Sequence, residues 1–263
     1  MITESTDMQD VLELPDISGE QVELLGRQID ATGFAVIPGY ISGNTLSALR
    51  TMVSSIVARA GGQYAVLTGR DDVAGTVLDV IGADPRFKGL MHRIYEAGRK
   101  KPAPTQSLYQ VLRCISGETG HGQAYFFHYD SYVVTALLPI MIPSEGQRGD
   151  LIMRPNNRSV RSAYLFNLFD KILVDNSFAQ KIFRKRALEN KAGFKKVQIE
   201  PGNLYLFWGY RTLHANEACD PQQIRATALF HFGDPHMGSG LRKLTGRAQV
   251  RATAPLVDVP ATA

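Results

Sequence analysis

The chain has 263 residues, a formal charge of +4 and a pI near 9.0, with 44% hydrophobic and 21% charged residues, 24 Gly and 13 Pro. That balance belongs to an ordinary globular protein with many turns; it excludes a disordered chain, and no apolar run approaches the about 18 residues of a membrane span. The basic residues are scattered except in KIFRKRALENKAGFKK at 181–196, which reads as a solvated helix face, so neither a nucleic-acid nor a membrane partner is expected.

Two cysteines, Cys114 and Cys219, make no disulfide framework, and the acidic start MITESTDMQDVLELPD lacks the basic and apolar regions of a secretory leader. A cytoplasmic, reducing setting is expected, with a single bridge between the two left open. Residues 1–18 read as a loosely docked arm. SGEQVELLGRQIDATG follows as a helix, with Ser18 as N-cap, Gln21 at the third position of a capping box, Val22, Leu24, Leu25 and Ile29 on the apolar side, and Gly33 at the end. FAVIPGY, 34–40, is a strand closed by Pro38-Gly39. In SGNTLSALRTMVSSIVARAGG, Leu46, Leu49, Met52, Val53, Ile56 and Val57 recur at helical spacing, which predicts a second helix ending at Gly61-Gly62. Residues 63–105 mix helical pieces with turns. Beyond about residue 106, β-rich runs alternate with Gly, Pro, Asn and Asp: SLYQVLRCI, YFFHYDSYVVTALLPIMI, GDLIMRP, KKVQI, GNLYLFWG and RATALFHFG. Their spacing predicts a mainly β sandwich or closed barrel, interrupted by a basic helix at about 175–192. With no repeat or linker, one domain over 1–263 is expected, its β core at 106–235.

Within AYFFHYDSYVVTALLPI, 124–140, His128 and Asp130 stand two apart. On a strand, alternate side chains leave on one face, about 6.5–7 Å apart, so the pair would aim at one point. Aromatic and β-branched neighbours favour the strand, and Pro139 would cap it. Such a pair binds a metal when a third ligand arrives from elsewhere, and is otherwise a hydrogen bond at a buried edge. Of six histidines, His214 stands after a strand, at the Gly-containing turn of NLYLFWGYRTLHANE, a rim position where barrels place chemistry. Further on, Arg225, Thr227 and Leu229 share one face of RATALFHF, and a guanidinium beside a hydroxyl makes a fork for a carboxylate. His231 in the same run reads as structural, while His92 and His236 carry no signal.

Taken together, H-x-D at 128–130, a distal His214 and Arg225-x-Thr227 resemble the iron(II)/2-oxoglutarate-dependent oxygenases. Further stretches are similar to the phytanoyl-CoA hydroxylase-like branch: IDATGFAVIPGYISGNTLSALR at 29–50, EPGNLYLFWGYRTLHANE at 200–217, and GDLIMRPNNR at 149–158, which lacks the usual Gly-Ser-His after its proline. Residues 63–105 match no such motif. The resemblance implies a double-stranded β-helix, a jelly roll with helices on one outer face. In it His128, Asp130 and His214 hold iron(II), leaving positions for a bidentate 2-oxo acid and for oxygen. It also implies that Arg225 pairs with the far carboxylate of 2-oxoglutarate and that Thr227 donates a hydrogen bond to it. The co-substrate would leave as succinate and carbon dioxide while an unactivated C–H bond of a small-molecule metabolite or biosynthetic intermediate is oxidised. Asp130, which related halogenases replace by a small residue, favours hydroxylation or a close variant.

Weaker candidates for substrate contact are Tyr109 and Arg113, assigned to the two faces of the strand before the triad, with Gln123, Trp208 and Arg154; Arg158 is a further candidate for an anionic group. Tyr125 is expected on the face opposite His128, and Cys219 reads as a loop residue. Two other readings stay open: a barrel metal enzyme that uses no oxo acid, and a non-catalytic ligand-binding barrel.

Overall fold

Local signals shape the first two helices as the sequence predicts. The computed structural model describes residues 12–161 and 163–239. Ser18 and Gln21 close both hydrogen bonds of a capping box at the start of α1 (Gly19–Thr32), and Gly33, at φ +94, ends it. α2 (Gly43–Arg59) starts on the Ser42 side chain and buries Leu49, Val53, Ile56 and Val57 along one stripe. Residues 63–105, expected to mix helical pieces with turns, hold a strand and the helices α3 (Gly69–Val73), α4 (Val77–Ala83) and α5 (Pro85–Arg99). α5 has Pro85 in its first turn and Asp84 as N-cap, whose carboxylate accepts from the N–H groups of Arg86 and Phe87. After these come the short α6 (Gly117–His121), then α7 (Tyr164–Asp175) and α8 (Ser177–Leu188).

The strands are β1 (Ala35–Ile37), β2 (Ala65–Thr68), β3 (Tyr109–Ile115), β4 (Val134–Met141), β5 (Leu151–Arg154), β6 (Lys195–Val197), β7 (Leu204–Phe207), β8 (Leu213–Asn216) and β9 (Arg225–Phe232). They form two antiparallel sheets, a larger one ordered β1-β7-β4-β9-β3-β2 and a smaller one ordered β6-β5-β8. Alternation along β9 sets the layers. Ala226, Ala228, Phe230 and Phe232 join the core shared with α1, α2, α4 and α5, whereas Leu229 belongs with Leu137, Leu151, Met153, Tyr205 and Phe207 between the sheets. Arg225, Thr227 and His231 share the Leu229 face. On the far side of the small sheet, α7 and α8 cover Phe127, Ile152, Leu213 and Ala215. Each fully buried Leu, Ile or Phe of these layers contributes about 1.5–3 kcal/mol.

Three expectations change. Residues 12–17 are no loose arm: Leu12, Leu14 and Ile17 are buried in the helix-side core, and Arg86 donates to the carbonyls of Leu12 and Leu14. Residues 1–11 lie outside the described residues. Pro139 does not cap its strand but sits inside β4, where the pairing with β9 shifts register before Met141; a residue without an N–H is tolerated at such an irregularity. The single basic helix is the second of a pair, preceded by the apolar α7. Cys114 and Cys219 are both buried free thiols, and burial pushes Cys114 up to about 12. Cys219 lies in the connection between β8 and β9, as expected, and forms an isolated bridge to Arg148 there. Among the described residues no helix is long and apolar enough to cross a membrane.

Candidate metal centre

His128, Asp130 and His214 meet, although not by the expected route. His128 lies outside the named strands: it forms an isolated bridge to His214, with both N–H···O bonds at 3.0 Å, and Asp130 follows with its N–H on Gly209 O at 3.1 Å. His214 is not on a turn but within β8, one face over from Leu213 and Ala215 of the outer cluster. The bridge aligns the two histidines, and the turn at 208–212 returns Gly209 beneath Asp130.

Hydrogen bonds then orient each donor. His128 Nδ1 lies 3.1 Å from Phe126 O, and His214 Nδ1 lies 3.0 Å from Thr212 O. A carbonyl only accepts, so each Nδ1 carries the proton and each Nε2 presents its lone pair. These lone pairs stand 3.7 and 3.6 Å from Asp130 Oδ1, and the three ligand atoms all lie within 4.8 Å of one another. Burial, helped by His214, pushes the His128 imidazole down to about 3. Burial alone would raise the Asp130 carboxyl, but the imidazoles of His214, His231 and His128 and the Thr135 hydroxyl hold it below the usual range. The result is an ionised Asp130 carboxylate and a neutral His128 imidazole, which with His214 Nε2 bring three ligand atoms to one point. A buried arrangement of that kind is repulsive until a cation sits between the lone pairs.

The other carboxylate oxygen is taken. Thr135 donates to Asp130 Oδ2 at 2.5 Å, and Thr135 Oγ1 lies 3.0 Å from His231 Nδ1, so His231 is linked to Asp130 through the hydroxyl rather than merely packed. Sequence reasoning missed Thr135 and Gly209 altogether. Their only signals are a hydroxyl in the apolar run VVTALL and a glycine after LFW.

Arg225 and Thr227 lie on the face of β9 turned to the small sheet. Arg225 is buried, donates through Nε to Gly149 O at 2.6 Å and through Nη1 to Thr227 Oγ1 at 3.3 Å, and no carboxylate forms an ion pair with it among the described residues. Burial, with Arg113 nearby, pushes it down to about 10, which leaves a desolvated cation short of a counter-charge. A carboxylate fits that need, and a guanidinium grips one with two parallel bonds.

The weaker candidates divide. Tyr109 and Arg113 share one face of β3 rather than two, opposite His231 and Thr227 respectively in the β9 register. Tyr109 stacks with Tyr132, centroids 5.6 Å apart, and Tyr132 stacks with His231, making an aromatic wall beside the carboxylate; Arg113 reaches over the Tyr64 ring. Gln123 is half-buried in the turn after α6. Trp208 faces the helices instead, packed against Gly98 with Nε1 donating to Asp30. Arg154 pairs with Leu213 on the outer face of the small sheet, because one step along β5 from Met153 reverses the side. Arg158 is structural, held between the Tyr129 and Tyr210 rings and paired with Asp170. Tyr125, at φ +58, leaves the metal side and lies under Arg184. His92 stacks on Phe232, and His236 bonds Tyr210.

No family model and no curated protein matches the chain. Solved structures do match it. A prolyl hydroxylase from Trichoplax adhaerens, in complex with a hypoxia inducible factor oxygen degradation domain peptide, has a TM-score of 0.55 at 14% identity, over 82% of this chain and 90% of that one. EctD from S. alaskensis, with 2-oxoglutarate and 5-hydroxyectoine, has a TM-score of 0.53 at 14% identity, over 83% and 76%. HygX from Streptomyces hygroscopicus, with iron bound, has a TM-score of 0.51 at 13% identity, over 83% and 87%. The likeness is one of fold: the two facing sheets with flanking helices are the double-stranded β-helix that the sequence led us to expect.

Proposed function

We propose that the protein is an iron(II)/2-oxoglutarate-dependent oxygenase that hydroxylates, or otherwise oxidises, a C–H bond of a small-molecule metabolite or biosynthetic intermediate. The observation that carries this reading is the convergence of two imidazole nitrogens and one carboxylate oxygen within 4.8 Å of one another. Two histidines and one carboxylate on one face of a metal match the facial triad of non-haem iron(II) oxygenases. The solved structures it resembles include proteins with iron bound and with 2-oxoglutarate. The motifs at 29–50 and 149–158 favour the phytanoyl-CoA hydroxylase-like branch.

In this reading His128, Asp130 and His214 hold iron(II), which supplies the activation of oxygen at the expense of the oxo acid. Thr135 occupies Asp130 Oδ2 and so keeps Oδ1 toward the metal. Arg225 binds the far carboxylate of 2-oxoglutarate, and Thr227 adds a hydroxyl to it. That fork selects a diacid. The Tyr109–Tyr132–His231 wall excludes water beside the reacting position and supplies an apolar face to the substrate. A reducing compartment suits both iron(II) and the two free thiols.

The test is anaerobic titration of iron(II) and 2-oxoglutarate, followed by visible absorption, with succinate measured after oxygen is admitted. Wild-type protein gives the band of a chelated 2-oxo acid and oxygen-dependent succinate. His214→Ala gives neither, and Arg225→Ala binds metal normally but raises the 2-oxoglutarate requirement by at least about tenfold. Metal binding with no response to 2-oxoglutarate would turn the reading to a barrel metal enzyme of another type, and no metal binding at all to a ligand-binding barrel.

A further inference from the structure

α7 is inverted relative to an ordinary surface helix. Its inward side holds Tyr164, Asn167, Asp170, Lys171 and Val174, and the polar members are engaged: Asp170 with Arg158 and Arg161, Asn167 with Arg158, and Lys171 with the Ser131 hydroxyl. Its outward side holds Leu165, Phe166, Phe169, Ile172 and Leu173, which with Phe178 at the start of α8 are 51–73% exposed. Rolling the helix to bury these residues would strip Asp170 of two guanidinium partners and leave Arg158 charged and unpaired between two rings. The inward bonds therefore fix the apolar stripe outward. Singly exposed apolar residues are ordinary, whereas a contiguous run of this size marks a contact surface.

The same surface is basic. Phe178, Lys181, Lys185 and Leu188 follow one another along the exposed side of α8 at helical steps of three and four. Over 164–191 six Lys and Arg stand against three Asp and Glu, of which Asp170 is consumed by Arg158 and Arg161 and Glu189 by Lys191. Val174, Phe183 and Ala187 seat both helices on one cluster, so the outward sides of both look away from the small sheet.

We propose that the α7–α8 hairpin docks on an anionic lipid surface, the stripe entering the boundary between headgroups and acyl chains and Lys181, Lys185 and Arg186 meeting acidic headgroups. The chemistry of the face selects this occupant. The stripe has no hydrogen-bonding side-chain atom, which suits a hydrocarbon phase, and cations flank it as they flank interfacial amphipathic helices. A second copy of the chain would bring the same excess of cations to the contact and leave it unneutralised. This revises the expectation of no membrane partner, and it stands independently of the oxygenase reading. Its consequence reaches the metal centre, because Gln180 of α8 clamps both the N–H and the C=O of Phe127, next to His128.

The experiment is co-sedimentation of the full chain with vesicles of phosphatidylcholine alone and of phosphatidylcholine mixed with phosphatidylglycerol. Wild-type protein pellets with the mixed vesicles only, and salt weakens it. Lys181→Gln and Lys185→Gln each weaken binding about fivefold. The Phe166→Ser, Phe169→Ser double variant no longer pellets while its thermal melt is unchanged. Absence of wild-type pelleting with the mixed vesicles, or undiminished pelleting of the double variant, overturns the proposal. So does a concentration-dependent dimer that the double variant dissolves without any vesicle binding, which assigns the face to a second copy. Capture of an acidic protein through the same residues, again without vesicle binding, overturns it equally.

Discussion

A methyl group at position 209 would stand 2.2 Å from Asp130 Oδ2 and 2.2 Å from Thr135 Oγ1, inside the contact distance of either. The glycine is therefore needed for close approach, and its carbonyl also holds the Asp130 N–H. Gly209→Ala should leave the protein folded, since only two side-chain ends must move. It should also swing Asp130 and lower manganese(II) or cobalt(II) affinity about 10–100-fold, the usual cost of losing an outer partner of a metal ligand. Calorimetric titration with circular dichroism as a folding control checks this, and unchanged affinity would remove Thr135 and Gly209 from the centre. Gly149 plays the corresponding part for Arg225. It sits at φ +72, and a Cβ there would meet Arg225 Cδ at 2.5 Å. His231 belongs to the same scale, a histidine whose position on a strand gave no hint that Thr135 would link it to Asp130.

Among the elements, the segment 125–131 shows how an irregular stretch is held as firmly as a strand. It has no ladder, yet the His128–His214 bridge, the Gln180 clamp on Phe127 and the Lys171 contact to Ser131 fix it from both sides. α5 does comparable service at the N-terminal end. Asp84 caps it and also bonds Arg86, whose guanidinium in turn holds the carbonyls of Leu12 and Leu14. Burial would raise the Asp84 carboxyl, but the Arg86 side chain and the N–H groups of Arg86 and Phe87 outweigh it, so its folded value lies below the unfolded one. The sign follows: the contribution is fully present above the unfolded value, about pH 4, and disappears as pH falls through the lower folded value. Asp84→Ala should cost about 1 kcal/mol at pH 7. In urea melts the gap from wild type should close below about pH 4; a gap that persists in acid would show that the loss is one of packing.

For the molecule as a whole, the three side chains proposed to hold the metal come from an irregular segment and from β8, so metal binding would report on the folded arrangement that brings the two together. A metal at about a hundred times its dissociation constant adds about 2.7 kcal/mol, because the unfolded chain has no such constellation. For a chain of this size that amounts to a rise in melting temperature of about 5–10 °C. Manganese(II) should produce that rise in the wild type and none in Asp130→Ala, read by differential scanning fluorimetry. Equal rises in both would place the metal elsewhere. The apolar hairpin lies on the opposite side of the small sheet from the space between the sheets, so the double Phe variant should keep the full metal response.

Sequence alone went far where the signal is local or chemical. The capping box at Ser18, the stripe of α2, the alternation of β9 and the grouping of His128 and Asp130 with His214 are all readable, because caps, periodicity and the chemistry of a side-chain cluster depend on residue type. It misled where side chains are assigned to faces from an assumed regular strand: His128 and Asp130 converge through an isolated bridge and a turn, Arg154 ends on the outer face, and Trp208 turns to the helices. Tertiary structure alone decided which way α7 rolls, since its periodicity predicts an apolar side turned inward, while ion pairs of Asp170 with Arg158 and Arg161, in the segment before the helix, turn that side to solvent. It alone placed Thr135, Gly209 and His231 around Asp130. Those three are joined by contacts across β4, β9 and the 208–212 turn, and no interval along a chain encodes a contact that depends on three separate segments arriving in register.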